Sequence, residues 1–395
     1  MTAAPLAGRR IWFVGIGGAG LSAYAKLARA WGAEVGGWDR VATPYLEGLG
    51  DVDVDISAEP VVRAGWDVVV SSAYPGVDGR PRAELLAELV SLRDSIVVAG
   101  AHGKTTTAAM IAFALREAGH DPAWIVGGEV PQLGSNAGAG SGWLVVEGDE
   151  SDRSVEALRP RIAVVLNVDL DHHATFGSRW EVEELFERWI EAAPQVVSGA
   201  ELGAVDFELA VPGEHNRRNA AAALAALELA GVPRGEAAAA LRRFTGAGRR
   251  FQIVGETAGV TVVDDYAHNP AKVAAVVEAA RERRPSGRVL VLFQPHLPSR
   301  TRHLWRELGV ALTASDAACV TEIYAAREPI PPGLSGKVVA DAAAEARPGM
   351  RVGWAPRLEQ AAQMIAAWAR AGDVALTVGA GDVDRAAPLI LGALR

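Results

Sequence analysis

The chain has 395 residues, half of them apolar, and a single cysteine, Cys319; its net charge of −9 excludes a broad basic surface for nucleic acid. The length exceeds one ordinary core and fits two or three domains of roughly 100 to 200 residues each, and three are expected. One cysteine excludes an internal disulfide framework and a cysteine-built zinc site; without a signal-peptide pattern, or an apolar stretch near the roughly 20 residues of a membrane span, a soluble cytoplasmic protein is expected.

Taken in chain order, an apolar strand over 10–14 runs into Gly15-Ile16-Gly17-Gly18-Ala19-Gly20, a helix over 21–31 follows, and the next strand ends at Asp39. Strand, Gly-x-Gly-x-x-Gly, helix and a carboxylate about 20 residues on make the dinucleotide fingerprint. The physics is less particular than the label, because glycines let a backbone approach any diphosphate and a helix N-terminus favours any anion. A UDP-sugar therefore fits Gly15, Gly17, Gly18, Ala19, Gly20 and Asp39 as well as NAD does, and tight strand-on-helix packing without a ligand is the bland alternative. Ser71 and Ser72 end a strand over 67–70 and can add hydroxyl donors to the same crevice, or simply form a turn.

A strand over 95–99 feeds a second loop of another kind, Gly100-Ala101-His102-Gly103-Lys104-Thr105-Thr106-Thr107, and a helix over 105–118. It departs from GxxxxGK[ST] because Val98 occupies the first glycine position, yet the chemistry survives. Loop amides can wrap phosphates, Lys104 can neutralise charge on the β and γ groups, and the Thr105 hydroxyl can reach magnesium. Magnesium wants hard oxygen ligands and keeps several waters, so one hydroxyl, one carboxylate and a triphosphate suffice. Glu147, closing a strand over 143–147, is the favoured carboxylate; Asp149, Glu150 and Asp152 crowd behind it and read equally as a solvated acidic loop. A strand over 162–167 leads to Asp169-Leu170-Asp171-His172-His173, where His172 can take a second metal. By itself Asp-His-His also resembles a manganese phosphoesterase signature, but further metal motifs of that kind are missing and such an enzyme has no use for Lys104.

Helices over 180–192, 220–230, 270–283 and 357–371 and strands over 288–293 and 373–378 continue the alternation, which means parallel α/β layers. An alanine-rich tract over 236–241 reads as an ordinary surface helix. Domain joins are expected before the second glycine loop and at Thr245-Gly246-Ala247-Gly248, dividing the chain into 1–92, 93–247 and 248–395.

Together these motifs, in order and spacing, resemble the Mur ligases along nearly the whole chain. The match includes both glycine loops, Ser71-Ser72-Ala73, Glu147-Gly148-Asp149-Glu150-Ser151-Asp152, Asp171-His172, Pro212-Gly213-Glu214-His215-Asn216 to Asn219 and Arg249-Arg250-Phe251. It continues with Asp264-Asp265-Tyr266-Ala267-His268, Phe293-Gln294-Pro295-His296, Ile323-Tyr324-Ala325-Ala326-Arg327-Glu328 and Gly379-Ala380-Gly381-Asp382.

The resemblance implies a Rossmann-like UDP-binding domain, a P-loop ATPase-like central domain that holds ATP and Mg2+, and a Rossmann-like C-terminal domain that closes over both. Lys104, Glu147, His172, Arg250 and His268 would be catalytic. Gly100, His102, Gly103, Lys104, Thr105 and Thr106 would cradle ATP, with Asn216 and Asn219 facing adenine, Asp265 accepting from the ribose and Arg250 reaching the γ-phosphate. Thr105, Glu147 and His172 would hold metal, and Tyr266, His268, His296 and Arg300 would line the reaction centre and the amino-acid pocket. Read from the residues alone, Arg249-Arg250 is a solvated basic pair. The implied activity is ATP-dependent ligation of L-alanine to the carboxylate of UDP-N-acetylmuramate for peptidoglycan synthesis, by a monomer or weak homodimer. Alternatives are a related ligase taking another amino acid or a recycled peptide, an NAD-dependent oxidoreductase, and a nucleotide-binding regulator without catalysis.

Four departures from that family lie near the substrate. Only Ala174 to Val211 separates the Asp-His-His motif from Pro212, fewer residues than in familiar members, so a small antiparallel sheet is expected to be reduced or missing, and the first domain is short around 74–82. Asn269 stands where histidine is usual, and Leu297-Pro298 where a basic and an aromatic residue are common.

Overall fold

The computed structural model describes residues 4–170, 175–326 and 328–395. The fold is α/β throughout, built on three sheets. Two compact units carry them: Met1–Ala210 with Asn216–Ala247, and Val211–His215 with Gly248–Arg395.

The first unit begins with β1 (Arg10–Val14), α1 (Ala19–Ala30), β2 (Glu34–Asp39), α2 (Pro44–Glu47), β3 (Asp53–Ile56), β4 (Asp67–Val70), β5 (Arg80–Pro81) and α3 (Arg82–Ser91). Its strands lie in the order β3-β2-β1-β4-β5, all parallel. The order reverses at β1 and β4, the place beyond the carboxyl ends of the strands where sheets of this kind hold ligands. Gly15 and Ser71 both stand at that edge, each one residue past its strand.

A second sheet in the same unit uses β6 (Ser95–Ala99), α4 (Lys104–Glu117), β7 (Ala123–Ile125), β8 (Ala137–Gly138), β9 (Leu144–Glu147), β10 (Ile162–Val165), α5 (Arg179–Glu191) and β11 (Gln195–Ser198), followed by α6 (Glu214–Leu229) and α7 (Arg234–Arg243). The order is β11-β10-β6-β9-β7-β8, parallel except for β8. β6 is central and buried at every position, so it reads as an unbroken apolar run and not as an alternation. Apolar residues of both sheets join one cluster, in which Leu85 and Leu89 of α3 are members along with Val97, Val146 and Ala163. Between 175 and 211 the described chain forms α5 and β11, and β11 extends the parallel sheet; no separate antiparallel sheet forms there among the described residues.

The second unit contains β12 (Gln252–Thr257), β13 (Val260–Asp265), α8 (Pro270–Arg283), β14 (Val289–Phe293), α9 (Pro298–Leu312), β15 (Ala317–Val320), α10 (Lys337–Ala346), β16 (Arg351–Trp354), α11 (Leu358–Trp368), β17 (Val374–Val378) and α12 (Ala386–Ala393). Its order is β12-β13-β17-β14-β15-β16, with β12 antiparallel. Successive residues feed opposite faces, as the pleat requires. Val263, Val291 and Phe293 pack on one face, and Val262, Leu290 and Leu292 on the other.

The helix expected over 220–230 starts six residues earlier, at Glu214. Gly213, at φ +99, turns the chain just before it, and Glu214 supplies an acidic first turn. Asn216 and Asn219 thereby come three residues apart on one helix face. Asn269, a departure from the family pattern, accepts the Lys272 N–H at 2.9 Å and caps α8, a task suited to asparagine.

Candidate active site

At the second glycine loop, β6 delivers Gly100 at φ +132 against the neighbouring chain. A methyl added there would lie 2.9 Å from the Asn167 carbonyl oxygen and 3.1 Å from its nitrogen, so only glycine allows the approach. Asn167, just past β10, clamps the loop with both ends of its carboxamide. Its Oδ1 accepts the His102 N–H at 2.9 Å, and its Nδ2 donates to the His102 carbonyl at 3.0 Å. Gly103, at φ +85, ends the loop against Asn219, whose Oδ1 would stand 2.3 Å from an added Cβ. Asn219 Nδ2 in turn donates to Asn216 Oδ1 at 3.4 Å, which puts both carboxamides beside the loop.

Lys104 opens α4, and its Nζ donates to the Gly100 carbonyl and to Glu150 Oε2, both at 2.7 Å. The Thr105 hydroxyl donates to Glu147 Oε2 at 3.0 Å, while the Gly127 N–H donates to Glu147 Oε1. The acidic run behind β9 is thus sorted by partner. Glu147 meets Thr105, Glu150 meets Lys104, and Asp149 and Asp152 meet Arg82 at 3.4 and 2.7 Å. His102 Nε2 lies 3.7 Å from Asp169 Oδ2, and Thr106 is buried in the first turn of α4. His172 lies outside the described residues.

The first glycine loop spends most of its amides on itself. Gly15 and Ile16 donate to the Trp38 carbonyl at 2.8 and 3.1 Å, Gly17 donates to Asp39 Oδ2 at 2.8 Å, and Gly18 donates to the Gly15 carbonyl at 3.1 Å. Asp39 Oδ1 accepts the Arg40 N–H at 2.7 Å, so one carboxylate oxygen braces the loop while the other is fixed by the chain that follows β2. In a dinucleotide site that carboxylate takes the ribose hydroxyls. No side chain caps α1, so its first turn, with Ala19 and Gly20, is where an anion would meet the helix. Gly15 is held at φ +91, with an added Cβ only 2.9 Å from Ser71 Cβ and 3.0 Å from the Tyr74 ring. Ser71 Oγ accepts the Ala73 N–H at 3.3 Å, and Ser72 is exposed.

In the second unit the carboxyl ends of β13, β17 and β14 gather another group. Asp265 accepts the Phe251 N–H at 2.7 Å and the Ala267 N–H at 2.8 Å. Burial pushes its carboxyl up, and the Arg250 charge and those two amides oppose the rise. The two residues of the basic pair have different hydrogen-bond surroundings. Arg249, at φ +57, turns inward to the Gly381 and Gly379 carbonyls at 2.9 and 2.8 Å and to Asp264 at 3.1 Å, and both guanidinium groups lie over the Tyr266 ring, at 5.3 Å for Arg249 and 4.9 Å for Arg250. This corrects the reading of both as solvated. Tyr266 and His268 meet edge to face with centroids 5.4 Å apart, His268 lies 6.3 Å from His296, and His296 stacks on Tyr324 at 5.7 Å. Arg300 Nη1 is 3.2 Å from His296 Nδ1. A guanidinium only donates, so Nδ1 accepts and the ring proton sits on Nε2. Burial, with help from Arg300, lowers the His296 pKa to about 4, leaving a neutral imidazole at physiological pH.

Sequence comparison adds the lineage. The Mur ligase middle domain matches residues 98–198, and the Mur ligase glutamate ligase domain matches 249–381. A UDP-N-acetylmuramate–L-alanine ligase of Streptomyces coelicolor is 39% identical, covering 98% of both chains, and that of Rubrobacter xylanophilus is 37% identical, covering 98% of this chain and all of the relative. The chain belongs to the Mur ligase family. The solved UDP-N-acetylmuramate-alanine ligase of Thermotoga maritima superposes with a TM-score of 0.82 at 26% identity, over 97% of this Mur ligase and 98% of that chain. The Streptomyces alignment runs over 457 positions, more than the 395 residues here, so the relative carries segments that this Mur ligase lacks.

Several residues of this Mur ligase that hold the site were not assigned from sequence: Glu150, Asn167, Arg82, Arg249 and Tyr324. Glu150 sat in a recognised acidic run without a mark of its own. Asn167 and Arg82 act through partners 65 and 70 residues away, beyond any local pattern.

Proposed function

We propose that this chain joins L-alanine to the carboxylate of UDP-N-acetylmuramate at the expense of ATP, through an acyl phosphate. The observation that carries the reading is the meeting of Lys104, Thr105 and Glu147 at one loop, in a chain alignable with alanine ligases from end to end. Thr105 and Glu147 offer a hydroxyl and a carboxylate, both hard oxygens, which suits a magnesium ion that completes its shell with phosphate and water. Such an ion would neutralise charge on the triphosphate. His172 is proposed for a second ion.

A carboxylate acylates poorly, so it first attacks the γ-phosphate of ATP and expels ADP; the alanine amine then attacks the acyl carbon, releasing phosphate and a proton as the amide forms. Lys104 sits where phosphate charge must be met, and it exchanges the Glu150 carboxylate for the triphosphate when ATP enters. Gly100, His102, Gly103 and Thr106 shape the cradle, and Asn216 and Asn219 read adenine. Arg250 is assigned to the γ-phosphate and Asp265 to the ribose. Tyr266, His268, His296 and Arg300 receive the amino acid; with His296 neutral, the Arg300 guanidinium beside it supplies a positive charge that attracts its carboxylate. The first loop, with Gly15, Gly17, Gly18, Ala19, Gly20, Ser71 and Ser72, holds the UDP part, and Asp39 contributes by bracing it. The precursor work of cell-wall synthesis places the enzyme in the cytoplasm, and no described helix is long and apolar enough to cross a membrane.

The test is ATP-dependent phosphate release with UDP-N-acetylmuramate and each amino acid in turn, with NADH absorbance followed in parallel. Release with alanine is expected. Release only with a preformed peptide moves the assignment to a recycling ligase, and NADH turnover without phosphate release refutes it.

A further inference from the structure

Arg82 begins α3, directly after the short edge strand β5, and its guanidinium serves two loops. On one side, Nη2 donates to Asp152 Oδ2 at 2.7 Å and Asp149 Oδ2 at 3.4 Å. Nη1 faces the first glycine loop, where a methyl added at Gly20 would lie 3.3 Å from it. The Nε is buried without a hydrogen-bond partner among the described residues. Tyr24 feels the Arg82 charge, but burial pushes its phenol up to about 12, so it stays neutral and brings no counter-charge. The two carboxylates are partly occupied by their own loop, since Asp149 Oδ1 accepts the Ser151 N–H and Asp152 Oδ1 the Ser154 N–H, both at 3.0 Å.

The loop itself is short of donors, because the amides of Gly15, Ile16, Gly17 and Gly18 are engaged internally. A diphosphate seated at Ala19 and Gly20 would meet the uncapped first turn of α1, and Arg82 adds a full positive charge beside Gly20. We propose that Arg82 positions the diphosphate of the nucleotide-linked acid: Nη1 takes a phosphate oxygen, while Nη2 keeps hold of the loop that carries Glu147 and Glu150. One side chain then sets the distance between the substrate's phosphates and the ATP cradle, which a reaction between carboxylate and γ-phosphate requires to be fixed. The inference rests on the first loop being the UDP site.

Calorimetric titration with UDP and with uridine tests it, using wild type, Arg82→Met and Arg82→Lys. Wild type binds UDP more tightly than uridine. Arg82→Met loses about tenfold to a hundredfold in UDP affinity, the range of a charge-assisted hydrogen bond. Its uridine affinity holds, which serves as the folding control, and Arg82→Lys recovers part of the UDP loss. In turnover the KM for the UDP-linked acid rises in Arg82→Met by more than kcat falls. If Arg82→Met keeps the wild-type preference for UDP over uridine, or loses both ligands alike, the inference is overturned. A wild-type protein that binds no UDP at all overturns instead the UDP reading on which it stands.

Discussion

Replacing Lys104 by methionine separates the lysine's structural duty from its chemical one. Glu150 is 2% exposed and lies 2.7 Å from the Lys104 ammonium, itself 17% exposed. Methionine keeps most of the side-chain length but takes the cation of this pair away from a buried carboxylate, a loss of about 3 kcal/mol. At roughly 2 to 4 °C per kcal/mol for a unit of this size, the thermal midpoint of the first unit falls by roughly 6 to 12 °C. The double variant Lys104→Met/Glu150→Gln removes the buried charge as well and regains most of that midpoint. Activity behaves differently. In both variants kcat/KM for ATP-dependent ligation falls by about 10² to 10³, the scale of one lost electrostatic donor at a reacting phosphoryl group, while UDP affinity stays at the wild-type level. Scanning calorimetry and a coupled phosphate assay read the two effects. An unchanged midpoint in Lys104→Met would show that the burial argument fails, and wild-type turnover in the double variant would remove Lys104 from the chemistry.

The two glycine loops are expected to fail independently. Gly103→Ala forces a Cβ to 2.3 Å from Asn219 Oδ1 at φ +85, so ADP affinity drops at least about tenfold, as expected when a phosphate cradle loses a charge-assisted hydrogen bond; UDP binding measured on the same sample is unaltered. Gly15→Ala, whose Cβ would meet Ser71 and Tyr74, gives the mirror result, with UDP weakened and ADP retained; equal loss of both ligands in either variant contradicts two separate sites. For His296 the folded pKa of about 4 lies below the ordinary 6.5, so the unfolded chain binds more protons in that window and stability falls as pH drops from about 6.5 to 4. Burial pushes the Asp264 and Asp265 carboxyls up, which acts with the opposite sign in acid, so the histidine is isolated by comparing wild type with His296→Gln. The variant's denaturation midpoint should decline less over that window, and parallel pH profiles would rule the histidine out.

What the sequence made legible was local and repetitive. β1, β6 and their glycine turns declare themselves because a buried parallel strand is an unbroken apolar run and the turn after it needs φ values that glycine alone adopts without strain. Edge strands gave no such sign. β5 and β8 have two residues each, and β12 leaves Ile253 and Val254 exposed, so neither length nor alternation marks them. The start of α6 was hidden because Asn216, Arg217, Arg218 and Asn219 lack the apolar periodicity of the alanine run that follows. Within the site, residue type pointed to Lys104, Thr105 and Glu147, whose chemistry is written in their neighbours. Which acid pairs with Lys104, and which of Arg249 and Arg250 turns inward, depended on backbone direction; Arg249 is set by a positive φ that a two-residue basic motif does not reveal.

The clamp that Asn167 places on His102 bears on how far the motif can drift. In a loop of the GxxxxGK[ST] kind the glycines let the backbone amides wrap the phosphates. Here the adjoining strand end works as a template from outside, gripping the segment at both an amide and a carbonyl. Val98 can therefore occupy the position where the usual pattern begins with glycine, and it does so as an ordinary member of β6. Residues 100–107 transplanted onto another strand and helix would leave their mould behind, so the transferable module is a pair of neighbouring strands rather than one loop.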